Sequence, residues 1–359
     1  MKIFILFYLV TIIFCQKLYN KMNEEENLMK ATISSLNKIN DILYTINYQN
    51  DYYLEEIIDK EIQNFEDIKK FATEKFGFDS NFEEIYVKKN DSCSSFNVYN
   101  KKNQNLFGRN FDYPYISPTV VIWTQPKNGY KSISFANGQY IGIFEGQEVV
   151  KERALFSVYD IIDGMNEKGL AMSILRIKGT ATHQNDPSKK NVLSSIIMKG
   201  ALDYCKNVGE AVQYFKKYNL HDVGEGSTLH YMFTDAEGDS VIIEYFDNKM
   251  ILIKPYEIEK TKYLYATNFY LFKPIGPGNE NGGDRYAILK NKLNDDTSLE
   301  LDEAMNLLND VHKTSTIWSN VYNINELSVT TALRQNYNIL YEFKIEKPNK
   351  CIILSSDNK

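Results

Sequence analysis

The chain has 359 residues, of which 43% are hydrophobic and 25% charged, with a formal net charge of −6. That length and apolar content support a large core and place the chain outside the disordered classes. Lysine and arginine are interleaved with acidic residues and form no basic stripe, which argues against nucleic acid as a partner.

Met1-Lys2 leads into an apolar run from Ile3 to Cys15, followed by polar Gln16-Lys17. A basic start and about a dozen apolar residues fit the hydrophobic region of a secretory signal and fall short of the ~20 that span a bilayer. Residues 1–15 are therefore expected to be a signal peptide, and the protein to be secreted or lysosomal, with no membrane span once the signal is removed. Cys93, Cys205 and Cys351 then remain. An odd thiol in an oxidising compartment points to an intermolecular bridge or a reactive cysteine. Cys205 and Cys351 either pair with each other or stay as two buried thiols. The single N-x-[ST] acceptor is Asn90-Asp91-Ser92, directly before Cys93, and Asn90 is the expected glycosylation position.

From residue 23 to 76, Leu28, Ile33, Leu36, Ile39, Leu43 and Ile46, then Leu54, Ile57, Ile58, Ile62, Phe65, Ile68, Phe71 and Ala72 recur at near-helical steps. The spacing predicts two amphipathic helices broken near Tyr48-Gln49-Asn50-Asp51. After Gly77 the texture becomes short β-rich runs between turn residues, with strands predicted at 94–99, 119–124, 132–135, 140–144, 155–159 and 170–175. Helical periodicity returns over 191–218. A hairpin at 229–245 follows, turning at Asp235-Ala236-Glu237-Gly238-Asp239, with a strand at 249–253, a helix at 301–311 and strands at 318–321, 327–332 and 339–345. This order reads as α+β, with one catalytic domain after Gly77.

Four histidines, His183, His221, His230 and His312, carry no signature that pairs them with a cysteine, and structural or surface roles are expected of each. No HExxH, CxxC or compact His/Asp set announces a metal, and Gly276-Pro277-Gly278 and Asn281-Gly282-Gly283 lack the Lys-Ser/Thr of a phosphate loop and read as a flexible turn. No metal or cofactor is expected. A cysteine can instead supply its own base. If the Ser92-Cys93 bond is cut, the freed α-amine, with a reference pKa of about 7.7 to 8.0, can accept the thiol proton.

Cys93-Ser94-Ser95-Phe96, followed by Gly108-Arg109-Asn110-Phe111-Asp112-Tyr113-Pro114, resembles the start of the mature chain in N-terminal-nucleophile (Ntn) amidases. These are the choloylglycine hydrolase and penicillin V acylase families and their relatives acid ceramidase and N-acylethanolamine acid amidase. Arg109 and Asp112 stand 16 and 19 positions after the cysteine, the offsets those families use. The likeness continues through Asp163-Gly164-Met165-Asn166-Glu167-Lys168-Gly169-Leu170, Leu229-His230-Tyr231-Met232-Phe233-Thr234-Asp235, Ala266-Thr267-Asn268, Asp284-Arg285-Tyr286 and Trp318-Ser319-Asn320-Val321-Tyr322.

The resemblance implies a four-layer αββα Ntn-hydrolase sandwich preceded by a helical pro-segment: residues 16–92 as an α chain, residues 93–359 as the catalytic β chain, the two staying associated after autocleavage between Ser92 and Cys93. It implies Cys93 as nucleophile and, through its amine, base; Asp112 holding that amine; Arg109 beside the sulfur; Asn268 as oxyanion donor; and Arg285 near the amine and the scissile bond. Where bile-salt and penicillin V relatives carry a further oxyanion asparagine, Arg176 stands here, so the second oxyanion contact is open. Asp160 and Asp163 are imperfect matches to an acidic residue of the lysosomal relatives, and Asn166 reads as structural. The implied activity is hydrolysis of a linear carbon-nitrogen amide (EC 3.5.1 type), with N-acylated lipids such as N-acylethanolamine or ceramide as first substrates. Alternatives are acylated amino acids, bile-salt conjugates or penicillin-type side chains, or a non-catalytic lipid-binding protein on the same fold.

Overall fold

The computed structural model describes residues 2–77, 92–222, 226–273 and 281–355. Asn90 and Gly276-Pro277-Gly278 lie outside them. The front of the chain holds α1 (Lys2–Ser35), β1 (Asn37–Asn40), β2 (Leu43–Tyr48), α2 (Leu54–Asp59) and α3 (Phe65–Phe76). α1 runs unbroken across residues 15 and 16, and among the described residues no helix is long and apolar enough to cross a membrane. Asn64 caps α3 by accepting the Asp67 N–H, and Gly77 closes it in the left-handed conformation.

The helix expected over 36–46 is two strands. The aliphatic spacing there imitates a helix only if Tyr44 and Tyr48 are left out. With them, Tyr44, Ile46 and Tyr48 belong to one core and Leu43 to the other, the two-faced burial of an inner strand. The described front of the chain, expected to be helical, is therefore helical only in part.

The next stretch contributes β3 (Ser92–Tyr99), β4 (Asn105–Asp112), β5 (Thr119–Thr124), β6 (Ser132–Asn137), β7 (Ile161–Asn166) and β8 (Ala171–Lys178). Residues 140–144 and 155–159, expected as strands, lie in or beside 3-10 turns at Gly138–Ile141 and Lys151–Tyr159. Ala154 to Tyr159 is buried at every position, and a continuous apolar run looks alike in a buried strand and a buried helix. β9 (Asn191–Leu193), α4 (Ser194–Tyr204), α5 (Val208–Lys216) and β10 (Asn219–His221) follow. Then come β11 (Ser227–Thr234), β12 (Ser240–Phe246), β13 (Lys249–Ile253), β14 (Tyr265–Ala266), α6 (Gly283–Lys292) and α7 (Leu301–Asp310). β15 (Thr316–Asn323), β16 (Ser328–Leu333), β17 (Asn336–Lys344) and β18 (Ile352–Ser355) close the described chain. The glycine-rich stretch expected to be a turn thus ends by starting α6.

Two sheets stack. One runs β1-β2-β5-β6-β7-β8-β11-β12-β13 and the other β14-β3-β4-β15-β16-β17-β18, with β9 and β10 a separate parallel pair. β2 enters the first sheet parallel to β5, pairing Leu43 with Thr119 through Tyr48 with Thr124. α2 to α5 cover its outer face through one core, while a second core fills the space between the sheets and under α6 and α7. Along β11 the alternation is direct: Tyr231 and Phe233 join the helix-covered core and Met232 the other. The result is an α+β fold with helix, sheet, sheet and helix layers, as the sequence implied.

Candidate active site

Cys93 is the second residue of β3, almost fully buried, and pairs across the ladder with Phe111 of β4. Neighbouring Ser92 pairs with Asp112, and Ser95 with Arg109. The two strands approach closely because Gly108 faces Phe96: a Cβ at 108 would lie 2.4 Å from the Phe96 ring. Pleating splits these residues between two layers. Ser95 Oγ meets Ser173 Oγ of β8 at 2.8 Å between the sheets, so Cys93 and Arg109, in step with Ser95, share that side. Ser94, Asn110 and Asp112 face the outer helices, where Asn110 Nδ2 donates to the Leu308 carbonyl of α7 at 2.8 Å.

Two of the expected residues, Asn268 and Arg285, converge on Cys93, and Asp112 lies beside the second. Asn268 Oδ1 accepts the Cys93 backbone N–H at 2.8 Å, and Arg285 Nη1 donates to the Cys93 carbonyl and, at 2.8 Å, to Ser94 Oγ. Arg285 Nη2 also donates to Asn268 Oδ1 at 2.7 Å, and its Nη1 lies 3.6 Å from Asp112 Oδ2. The glycine before α6 permits this reach. Gly282 has φ of 86°, and a Cβ there would come within 2.6 Å of the Arg285 guanidinium. Asp112 Oδ1 accepts from Thr316 Oγ1 at 2.5 Å. Burial pushes the Asp112 carboxyl above its ordinary value, against the opposing pull of Arg285, Thr316, Arg109 and Lys313.

Arg109 is fully buried and donates to the carbonyls of Asn110 and, at 2.7 Å, Ile174. Its Nε lies 3.8 Å from Asp163 Oδ2. Asp163 belongs to β7 in the opposite sheet and accepts from Trp318 Nε1 at 2.9 Å, Asn320 Nδ2 at 2.8 Å and the Tyr322 hydroxyl. Those donors are alternate residues of β15, so one strand face grips one carboxylate. Burial raises the Asp163 pKa, and Arg109 and the three donors offset part of that rise. Of the two acidic candidates, Asp163 meets Arg109, whereas Asp160 is half-buried at the end of a 3-10 turn.

Arg176 enters through its backbone: its carbonyl accepts from Asn268 Nδ2 at 2.8 Å, while its own Nε donates to Ser227 Oγ at 3.0 Å. Asn166 holds the carbonyls of Leu202 and Cys205 and accepts the Lys168 and Leu170 N–H groups, the structural role expected of it. Cys205 and Cys351 are unbridged, and burial pushes their thiols up to about 12 and about 11, which leaves them poor nucleophiles. Among the described residues one carboxylate group of three, Asp235, Glu237 and Asp239, could hold a metal ion; it lies in the β11–β12 turn, with Asp235 buried and the other two exposed.

Sequence reading missed Thr316, Lys313 and Ser94. Lys313 Nζ donates to Ser92 Oγ at 3.0 Å, and its backbone N–H to Thr316 Oγ1 at 2.9 Å. No motif marks the loop that carries them; only its place before Trp318 hinted that it lies near the site.

The arrangement can fix the nitrogen of residue 93, present a thiol in a dry layer and offer an amide donor beside it. In comparisons with known proteins, the family model "Linear amide C-N hydrolases, choloylglycine hydrolase family" matches residues 93–260. The chain is 26% identical over 166 residues to a bile salt hydrolase/transferase of Clostridium perfringens, covering 44% of this chain and 49% of that protein. It is 30% identical over 144 residues to a penicillin V acylase of Pectobacterium atrosepticum, covering 35% and 38%. It thus spans about half or less of the curated relatives it matches. Among solved structures, a conjugated bile acid hydrolase variant from Clostridium perfringens aligns with a TM-score of 0.48 at 17% identity, over 74% of this chain and 93% of that one.

Proposed function

We propose, from the match of residues 93–260 to the linear amide C–N hydrolases of the choloylglycine hydrolase family, that the protein is a self-processing amidohydrolase whose nucleophile is Cys93. The carrying observation is the convergence of Asn268 and Arg285 on the backbone of Cys93, with Asp112 beside the guanidinium. Cutting the Ser92–Cys93 bond turns the nitrogen now held by Asn268 into an α-amine. In its neutral form that amine takes the thiol proton as sulfur attacks the substrate carbonyl, and passes it to the departing nitrogen. The product amine leaves and a thioester remains. Water then gives a proton to the same amine and its oxygen to the acyl carbon; the acid departs and the thiol is restored. Asn268 Nδ2 has two N–H groups, one held by the Arg176 carbonyl, and the other is the donor assigned to the oxyanion.

N-acylated lipids, N-acylethanolamine or ceramide, are the first proposed substrates. Support comes from the likeness to amidases that keep their front segment, together with the place of β2 inside the first sheet. A second reading, bile-salt conjugates or penicillin-type acyl amides, is favoured by the names of the two curated relatives. A panel of N-palmitoylethanolamine, a ceramide, glycocholate and penicillin V, assayed with wild type and Cys93→Ala, separates them. Hydrolysis of either lipid by wild type alone supports the first reading and hydrolysis confined to the other two supports the second, whereas equal activity in Cys93→Ala would falsify the mechanism.

A further inference from the structure

His230 of β11 and Glu244 of β12 are fully buried and stand outside the roles assigned above. They face each other across the strand pair, one step beyond the Tyr231–Ile243 pairing. Burying two ionisable groups is unfavourable unless their partners compensate, so what they hold matters. His230 Nδ1 lies 3.1 Å from Glu244 Oε1, and Nε2 lies 2.8 Å from the Thr267 carbonyl oxygen. The carboxylate also accepts the backbone N–H groups of Leu271 at 2.9 Å and Phe272 at 3.3 Å. The Thr267 carbonyl oxygen only accepts, so Nε2 carries the proton between them, and Nδ1 shares a hydrogen bond with the Glu244 carboxyl group.

All three anchored backbone groups belong to residues 267–272, which no strand pairing covers, and Asn268 directly follows the first anchor. We propose that the His230–Glu244 pair is a positioning clamp that fixes this segment and so sets the Asn268 amide against Cys93. The Asn268 side chain serves Cys93, Arg285 and the Arg176 carbonyl at once, so a small rotation at Thr267 disturbs all three contacts together. Misplacing a catalytic group by about 1 Å can reduce turnover about 10²-fold. The clamp rests on the reading of Asn268 as the oxyanion donor.

The test uses Glu244→Gln and His230→Gln in full-length protein, with rates normalised to the fraction cut at Ser92/Cys93 and whichever amide of the panel wild type hydrolyses. The expected result is a fall in kcat of about 10-fold or more with KM within about two-fold, and no further fall when either change is added to Asn268→Ala. An equal loss in both backgrounds, or a raised KM with kcat intact, overturns the clamp alone. Asn268→Ala as active as wild type, or a wild type that hydrolyses none of the panel, overturns the underlying reading and the clamp with it. If neither glutamine variant folds, nitrogen NMR of the unaltered, histidine-labelled protein decides: a proton on His230 Nε2, the nitrogen facing the Thr267 carbonyl, supports the clamp, and an Nε2 without one overturns it.

Discussion

Asn268 Oδ1 accepts the Cys93 backbone N–H at 2.8 Å although 175 positions separate the two residues. The same oxygen takes Arg285 Nη2, so one amide oxygen fixes the junction residue and the arginine beside it. Asn268→Ala is expected to lower turnover about 10²- to 10³-fold in correctly cut protein, the typical loss for one oxyanion donor. Steady-state kinetics on protein of known cut fraction checks this; a loss below about ten-fold contradicts the role.

Asp112 ties pH to stability. Its buried carboxyl has a raised pKa in the fold. Such a group contributes stability that is fully present below its unfolded pKa and is lost as the pH rises through the folded value. Asp112→Asn removes that titration. Relative to wild type, the variant should gain stability as the pH climbs from the carboxylate range toward neutrality, and the difference should close on acidification, while turnover is lost throughout. Denaturant melts across pH read the sign directly.

Asp163 is satisfied by three donors from β15 and lies beside Arg109. Asp163→Ala strands a buried guanidinium, which typically costs about 3–5 kcal/mol. Tyr322→Phe removes a single bond to the same carboxylate and should cost about 1.5–3 kcal/mol. Equilibrium unfolding that ranks the two the other way would contradict the assignment of Asp163 as the support of Arg109.

Gly108→Ala should destabilise the fold by about 1–3 kcal/mol through overpacking, because its new Cβ meets the Phe96 ring. Combined with Phe96→Leu, the penalty for the alanine should shrink, since the obstructing atoms are gone. Thermal unfolding of the single and double variants measures the coupling.

If the chain is cut at Ser92/Cys93, the contacts of the front segment predict that it stays bound. β2 pairs along its whole length with β5, Tyr48 donates to the Leu155 carbonyl at 3.0 Å, and Tyr52 donates to Asp203 Oδ2 at 2.6 Å. Lys199 Nζ meets the Tyr52 hydroxyl at 2.9 Å within the same buried group. Cut protein should elute as one species under native conditions and as two only when denatured. Separation at native pH would contradict this.

The proposed catalytic residues were legible in the sequence through their chemistry and spacing. Cys93, Arg109, Asp112, Asn268 and Arg285 stood at family offsets, and all five lie in one connected region of the fold. Partners that act through one hydroxyl or one backbone group left no such trace. Thr316 and the Arg176 carbonyl are ordinary residues until two sheets and a helix layer bring them together. The front segment misled for another reason: aliphatic spacing at 36–46 fits a helix, and only burial of Tyr44 and Tyr48 reveals a strand.

Division of the chain at Ser92/Cys93 is the step that would free the proposed nucleophile. Intact-mass analysis of purified protein held at acidic pH tests it most directly. Two chains meeting at that bond are expected in wild type and a single uncut chain in Cys93→Ala. A wild-type protein that stays uncut and still hydrolyses its amide would contradict it.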